Sequence, residues 1–313
     1  MAEVLVGEYE KRDIDAQVAR ILRDLGAPEP PLVLSEVRAL LHLDLKYYSS
    51  TDPGLIEELS HRFTLFARKT LPDVGRHLWS ALSKSKLCSF WVPDSAQILL
   101  DENVPHLKHR WIEAHEITHS IAPWHKGFLL GDNLQMVDPA CHAVLEAEAN
   151  YGAGRLLFLQ ERFSHEARDL PLSFASVKQL ASRYHNSIQS TFWRMVEERN
   201  PEDPVFGVIS IHPKHPSVGQ HDGPDAWRYF IRSQGFRSRF GNVLPEDLYP
   251  LIERHVSHRK TGPVLAADEV LTDTAGALWE FHLESFSNGH ALLTVGYLLR
   301  PHRLIVPVAA AGG

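Results

Sequence analysis

The five residues His115-Glu116-Ile117-Thr118-His119 constrain this chain more than any other stretch. At 3.6 residues per turn, positions i and i+4 share one face of an α-helix, so both imidazoles can reach one metal ion only if this segment is helical. Glu116 then lies beside that face, where it can take a proton from water on the ion. The flanks agree, because Leu107, Trp111, Ala114 and Ile121 form an apolar stripe that would bury the back of the motif. A helix over 107–122 is therefore predicted, stopped by Pro123. A chain with 19 histidines meets such a pattern by accident at about 0.08 matches, so the surrounding residues must decide the reading.

A catalytic zinc centre takes three protein ligands and leaves a position open for water. The next helix is expected over 140–160, and it carries two candidate carboxylates, Glu146 and Glu148. They stand about 200° apart around a helix, so one of them, and not both, can join His115 and His119. Asn150 shares the Glu146 face at i+4 and could support a ligand from behind. A carboxylate among Ala143, Ala147, Ala149, Gly152 and Gly154 costs desolvation free energy unless it is paired or metal-bound. The same small residues permit close packing on a neighbouring helix.

The motif, with its lead-in Arg110-Trp111-Ile112-Glu113-Ala114, resembles the active helix of the ImmA/IrrE metallopeptidases. The later Glu146-x-x-Ala149-Asn150, followed by Leu156-Leu157, is similar to that family's second signature. The resemblance covers residues 14–165 and implies a zincin-like fold with zinc held by His115, His119 and Glu146, and Glu116 as catalytic base. By that match Glu146, and not Glu148, is the third ligand. Relatives that cleave DNA-binding repressors imply a protein substrate such as a helix-turn-helix repressor or antitoxin, and a regulatory, stress-response role. Two features depart from the family pattern: Leu159 replaces a usual proline, and the segment 49–86 is long.

On this reading water on the zinc would ionise near neutral pH, its pKa lowered to about 7. Glu116 would take the proton and deliver it to the leaving amine. His125, His142 and Tyr151 are nearby candidates for an oxyanion donor, with Asn150 for a supporting role. Loss of Glu146 should weaken metal retention, and loss of Glu148 should not. The alternative function is a non-proteolytic metal-binding regulator or sensor, against which an intact Glu116 argues.

Composition narrows the remaining classes. A net charge of −7 argues against a generic duplex binder, which needs a positive surface. No basic and apolar leader opens the chain, no apolar run approaches the ~20 residues that span a bilayer, and Cys88 and Cys141 form no CxxC pair. These features are those of a cytoplasmic protein without a membrane partner.

The expected architecture is α+β. A mainly helical zincin-like domain with a small sheet occupies 1–165, a helix-turn-helix-like element 166–203, an α+β domain of unknown role 204–303, and a flexible tail 304–313. In the first domain, helices are predicted at 14–25, 34–41, 56–70 and 74–83, and strands at 44–49, 88–92 and 97–100. Two helices within 174–199 carry Lys178, Arg183, Arg194 and Arg199 offset by Glu197 and Glu198, so they are expected to pack against the catalytic helices and not to read DNA. Further on, strands are predicted at 205–211, 279–285 and 291–299, and a helix at 247–258. Asn288-Gly289 marks a hairpin turn suited to the positive φ of type I′. A second histidine cluster, His212, His215 and His221 with Asp222, matches no ligand pattern and is expected on a surface loop. His255 and His258 are placed at a helix end.

Overall fold

The computed structural model describes residues 6–49, 89–92, 95–125 and 139–302. The helices expected at 56–70 and 74–83, the turn at Pro93-Asp94, Cys88, the loop with Gly127 and Gly131, and the tail from 304 lie outside the described residues. The chain is a mixed α+β protein of two compact units, divided between Arg162 and Phe163, with Arg183–Asn186 joining the first.

In the first unit, α1 (Glu8–Asp24) buries Ile14, Val18 and Ile21 at helical spacing and places Glu8 and Glu10 where the helix dipole favours anions. Helix α2 (Leu34–Leu41) ends where His42 turns left-handed, at φ 54°. Strands β1 (Asp44–Tyr48), β2 (Ser89–Val92) and β3 (Gln97–Asp101) form a sheet of order β1-β3-β2. Central β3 pairs parallel with β1 and antiparallel with β2, and its Ile98-Leu99-Leu100 run is buried throughout, as a covered central strand requires. Helix α3 (His106–Ile121) lies against β2 and β3 through buried Ala114, Ile117 and Ile121, and against α4 (Pro139–Leu157).

The small residues of α4 permit that contact. A Cβ on Gly152 would press into the Thr118 methyl well inside van der Waals distance, with Ile14 Cγ2 at 3.0 Å. Gly152 therefore lets α4 approach α3 and α1 together. Asp15 fastens α1 to α4, accepting from Tyr151 Oη at 2.9 Å and Arg155 Nε at 2.7 Å, while Gln160 Nε2 donates to its carbonyl. The helix expected through 160 stops at Leu157. Leu159 and Gln160 adopt φ 55° and 51°, turning the chain into the separate α5 (Glu161–Arg168) without the glycine or proline that would announce a stop.

The second unit is built on an antiparallel sheet of order β5-β4-β8-β7-β6. Its strands are β4 (Val205–Ser210), β5 (Trp227–Arg232), β6 (Gly262–Thr272), β7 (Leu278–Ser287) and β8 (Leu292–Pro301). Helices α6 (Phe174–Tyr184) and α7 (Ile188–Glu198) cover one face: Phe174 stacks on Phe286, and Phe192 and Val196 close over Gly207. On the other face α8 (Gln234–Arg239) and α9 (Pro245–His255) pack Phe236, Phe240, Leu248 and Ile252 against Phe206, Phe281 and Leu283. Adjacent Phe206 and Gly207 thus point to opposite layers, as the pleat demands.

Of the 174–199 helices expected to pack on the catalytic helices, α7 and Phe174 of α6 line the second unit's sheet, whereas Tyr184 at the end of α6 belongs to the first unit and packs on Phe158. Strands β5 and β6 were not expected. Both are edge strands; β4 and β5 shift register between Ile209 and Ser210, and β6 mixes Asp268 and Glu269 into its run, so alternation is broken. The hairpin forms where expected, but not as a type I′ turn. Ser287 pairs with Leu292 across a four-residue loop in which Gly289 has φ 83°, Asn288 keeps negative φ, and Asn288 Oδ1 accepts from His290 N and Ala291 N. Among the described residues no helix is long and apolar enough to cross a membrane.

Gly152→Ala should gain about 1 kcal/mol of helix propensity, yet crowding against the stiff Thr118 side chain should destabilise the fold by about 1–3 kcal/mol net. Denaturant unfolding of the single variant, and its partial recovery in a Thr118→Ser background, measures this.

Candidate metal centre

Helices α3 and α4 bring three groups to one point. His115 Nε2 and His119 Nε2 are 3.1 Å apart, His115 Nε2 is 3.3 Å from Glu146 Oε2, and His119 Nε2 is 3.6 Å from Glu146 Oε1. Among the described residues this is the group of three whose ligand atoms could hold one metal ion. An ion bonded tetrahedrally at about 2.0–2.1 Å sets its ligand atoms about 3.3 Å apart; the two imidazole nitrogens stand near that separation, and each has one Glu146 oxygen near it. The residues therefore fit a small divalent cation with borderline nitrogen and oxygen donors.

Each histidine is held from its other ring nitrogen. His115 Nδ1 meets Asn150 Oδ1 at 3.2 Å, and Trp111 Nε1 also points at that oxygen, 3.4 Å away. Indole N–H only donates, so Trp111 favours the oxygen and not the amide on that side of Asn150, and His115 donates from Nδ1. His119 Nδ1 meets His125 Nδ1 at 2.8 Å, and His125 Nε2 lies 2.7 Å from Glu148 Oε2, which also accepts from Trp124 Nε1 at 2.6 Å. The α3 C-terminus makes this possible. Ala122 is extended, and a turn from His125 N to Ala122 O folds Trp124 and His125 back toward α4. Glu116 is 5 % exposed, and Ser89 Oγ on β2 donates to its Oε1 at 2.5 Å.

Electrostatics follow from these contacts. Burial opposes protonation of His115, but the Glu146 carboxylate, with Glu116 close by, outweighs it and holds the imidazole above its ordinary pKa. Burial would raise Glu146, yet the neighbouring His115 and His119 imidazoles keep it well below the carboxylate range. For Glu148 the same contest is won by His125 and Trp124, which hold it low. His125 is pushed down by burial, only partly opposed by Glu148. The three-group point thus favours positive charge, supplied either by a proton on His115 or by a metal ion.

His115, Glu116, His119, Glu146 and Asn150 come together. His142 stands at the rim, exposed, with Nε2 3.9 Å from Glu146 Oε1. Tyr151 is placed elsewhere, its hydroxyl committed to Asp15. Sequence reasoning missed Ser89, Trp124 and Glu148 as parts of the site. Helix phase separates Glu148 from the Glu146 face, and in the structure Glu148 pairs with His125 and Trp124. The second histidine cluster is not a plain surface loop. His212 is buried, and His212 Nε2 and His215 Nε2 pair with the Arg259 and His258 carbonyls at 2.9 and 2.7 Å. His255 pairs with Glu269 at 2.6 Å.

No protein-family model and no curated protein matches the chain. A solved structure described as a Mycobacterium tuberculosis transcriptional regulator is similar in fold, with a TM-score of 0.50 at 12% identity, covering 92% of this chain and 76% of that chain.

Glu146→Ala should abolish tight metal retention, and Asn150→Ala should weaken it by about 10-fold or more, both measured by chelator competition. Metal and proton compete for His115. Affinity should therefore fall as pH drops through the raised His115 pKa, with proton release seen by calorimetry in buffers of different ionisation enthalpy.

Proposed function

We propose that this chain is a zinc-dependent endopeptidase with a zincin-like first unit, acting in the cytoplasm on a protein substrate. Zinc is the metal that two imidazoles and one carboxylate in tetrahedral spacing suit well. The observation that carries the reading is the meeting of His115, His119 and Glu146 at 3.1–3.6 Å, with the buried Glu116 carboxylate on the adjoining helix position. A structural site has four protein ligands and no use for a base; here three ligands stand beside one.

Zinc bound there would polarise a scissile carbonyl and lower the pKa of water. Glu116 takes the proton from the attacking water and passes it to the leaving amine nitrogen. Ser89 Oγ, donating to Glu116 Oε1, orients that carboxylate from the β2 side. His142, exposed at the rim beside Glu146, is positioned to meet substrate. Substrates of the helix-turn-helix repressor class are what the family resemblance implies. Nucleic acid is disfavoured as a partner of α7, because Thr191, Phe192, Arg194, Met195 and Val196 are buried, and a recognition helix needs an exposed face.

A metal-binding regulator without proteolysis is the second reading, supported by the description of the structural neighbour as a transcriptional regulator. One experiment separates the two. Glu116→Gln should keep zinc and lose at least about 100-fold in cleavage of a candidate repressor, the scale of general acid–base catalysis; a zinc-loaded wild type that cleaves no candidate repressor favours the second reading. Ser89→Ala should lower kcat while zinc affinity holds.

A further inference from the structure

The hydrogen-bonded chain behind His119 carries more than support. Glu148 and His125 are 3 % and 0 % exposed, so neither partner is screened by water. An ionised carboxylate only accepts, hence the 2.7 Å contact to Glu148 Oε2 is donated by His125 Nε2. A neutral imidazole that donates from Nε2 has Nδ1 left as its acceptor. That Nδ1 faces His119 Nδ1 at 2.8 Å, so His119 donates there and its own Nε2 keeps a lone pair. The lone pair is the one directed at the shared ligand point, where it faces His115 Nε2 at 3.1 Å.

The geometry points to Glu148 and His125 as positioning residues that set His119 in its Nδ1–H tautomer and so aim its Nε2 at the shared ligand point. Asn150 does the equivalent for His115 through a separate hydrogen bond, so the two ligands are set by independent partners on one helix. Trp124 Nε1, donating 2.6 Å to the same Glu148 oxygen, fixes which oxygen serves the chain. It also makes Glu148→Gln an informative change. An indole N–H selects the amide oxygen over the amide nitrogen, leaving an acceptor for His125 in place while the charge is removed. The metal-affinity consequence rests on the reading of the three-group point as a zinc site; the tautomer does not.

Long-range proton–nitrogen correlation spectra of the full-length, metal-free protein read the tautomer directly. His119 is expected to carry its proton on Nδ1 in the wild type and in Glu148→Gln, and to lose that preference in Glu148→Ala. Zinc affinity by chelator competition should fall about 10- to 100-fold in Glu148→Ala and stay near wild type in Glu148→Gln. A wild-type His119 protonated on Nε2 overturns the assignment, and so does an unchanged His119 tautomer in folded Glu148→Ala, whatever its affinity. If Glu148→Ala does not fold, the wild-type and Glu148→Gln spectra decide. A wild type with the Nδ1–H tautomer that binds no zinc or cleaves nothing leaves the chain of hydrogen bonds standing and removes the zinc-peptidase reading alone.

Discussion

Close approach of α3 and α4 at Gly152 is the contact on which the candidate centre depends. Thr118, one residue before His119, fills the space that any side chain on position 152 would need. Two helices separated by another methyl's thickness would not bring Glu146 within 3.3–3.6 Å of both imidazoles. The same glycine admits Ile14, so α1 is packed onto the pair, and Asp15 then ties α1 to Tyr151 and Arg155. Packing, in other words, sets the inter-ligand distances, and the polar contacts of Asp15 keep the packing in register.

Around that contact the polar groups are layered. The innermost layer gathers two imidazoles and the Glu146 carboxylate, with the Glu116 carboxylate beside them, and the next consists of groups that each orient one of these: Asn150 for His115, His125 for His119, Ser89 for Glu116. Buried Glu148 sits one step further out and is compensated by two donors, as a carboxylate removed from water must be. The low pKa of Glu146 and the raised pKa of His115 are two views of one fact, the stabilisation of positive charge between them. The second unit follows a different logic. Its sheet is covered on both faces, and Gly207 and Gly296 make room for Phe192 and Phe206 on opposite sides. In α7 this packing buries Thr191, Phe192, Arg194, Met195 and Val196.

What the sequence by itself determined is whatever depends on periodicity within one element. His115 and His119 share a face because they are four residues apart on a helix, Glu146 and Asn150 share another for the same reason, and Glu148 is turned away from both by helix phase. The buried run of β3 and the Asn-Gly hairpin are equally local. The family resemblance added the choice between Glu146 and Glu148, which helix phase alone left open.

Tertiary structure decided everything that joins elements. The pairing of Ser89 with Glu116, the return of Trp124 and His125 onto Glu148, and the loss of Tyr151 to Asp15 all depend on the angle and distance at which separate elements dock. A side chain's direction around its own helix is fixed by 100° per residue, but its partner is fixed by packing across tens of residues, on which local pattern carries no information. The same reason explains why α7 and Phe174 of α6 were expected against the catalytic helices and lie on the sheet instead. Their apolar faces were legible, and the surface that they cover was not.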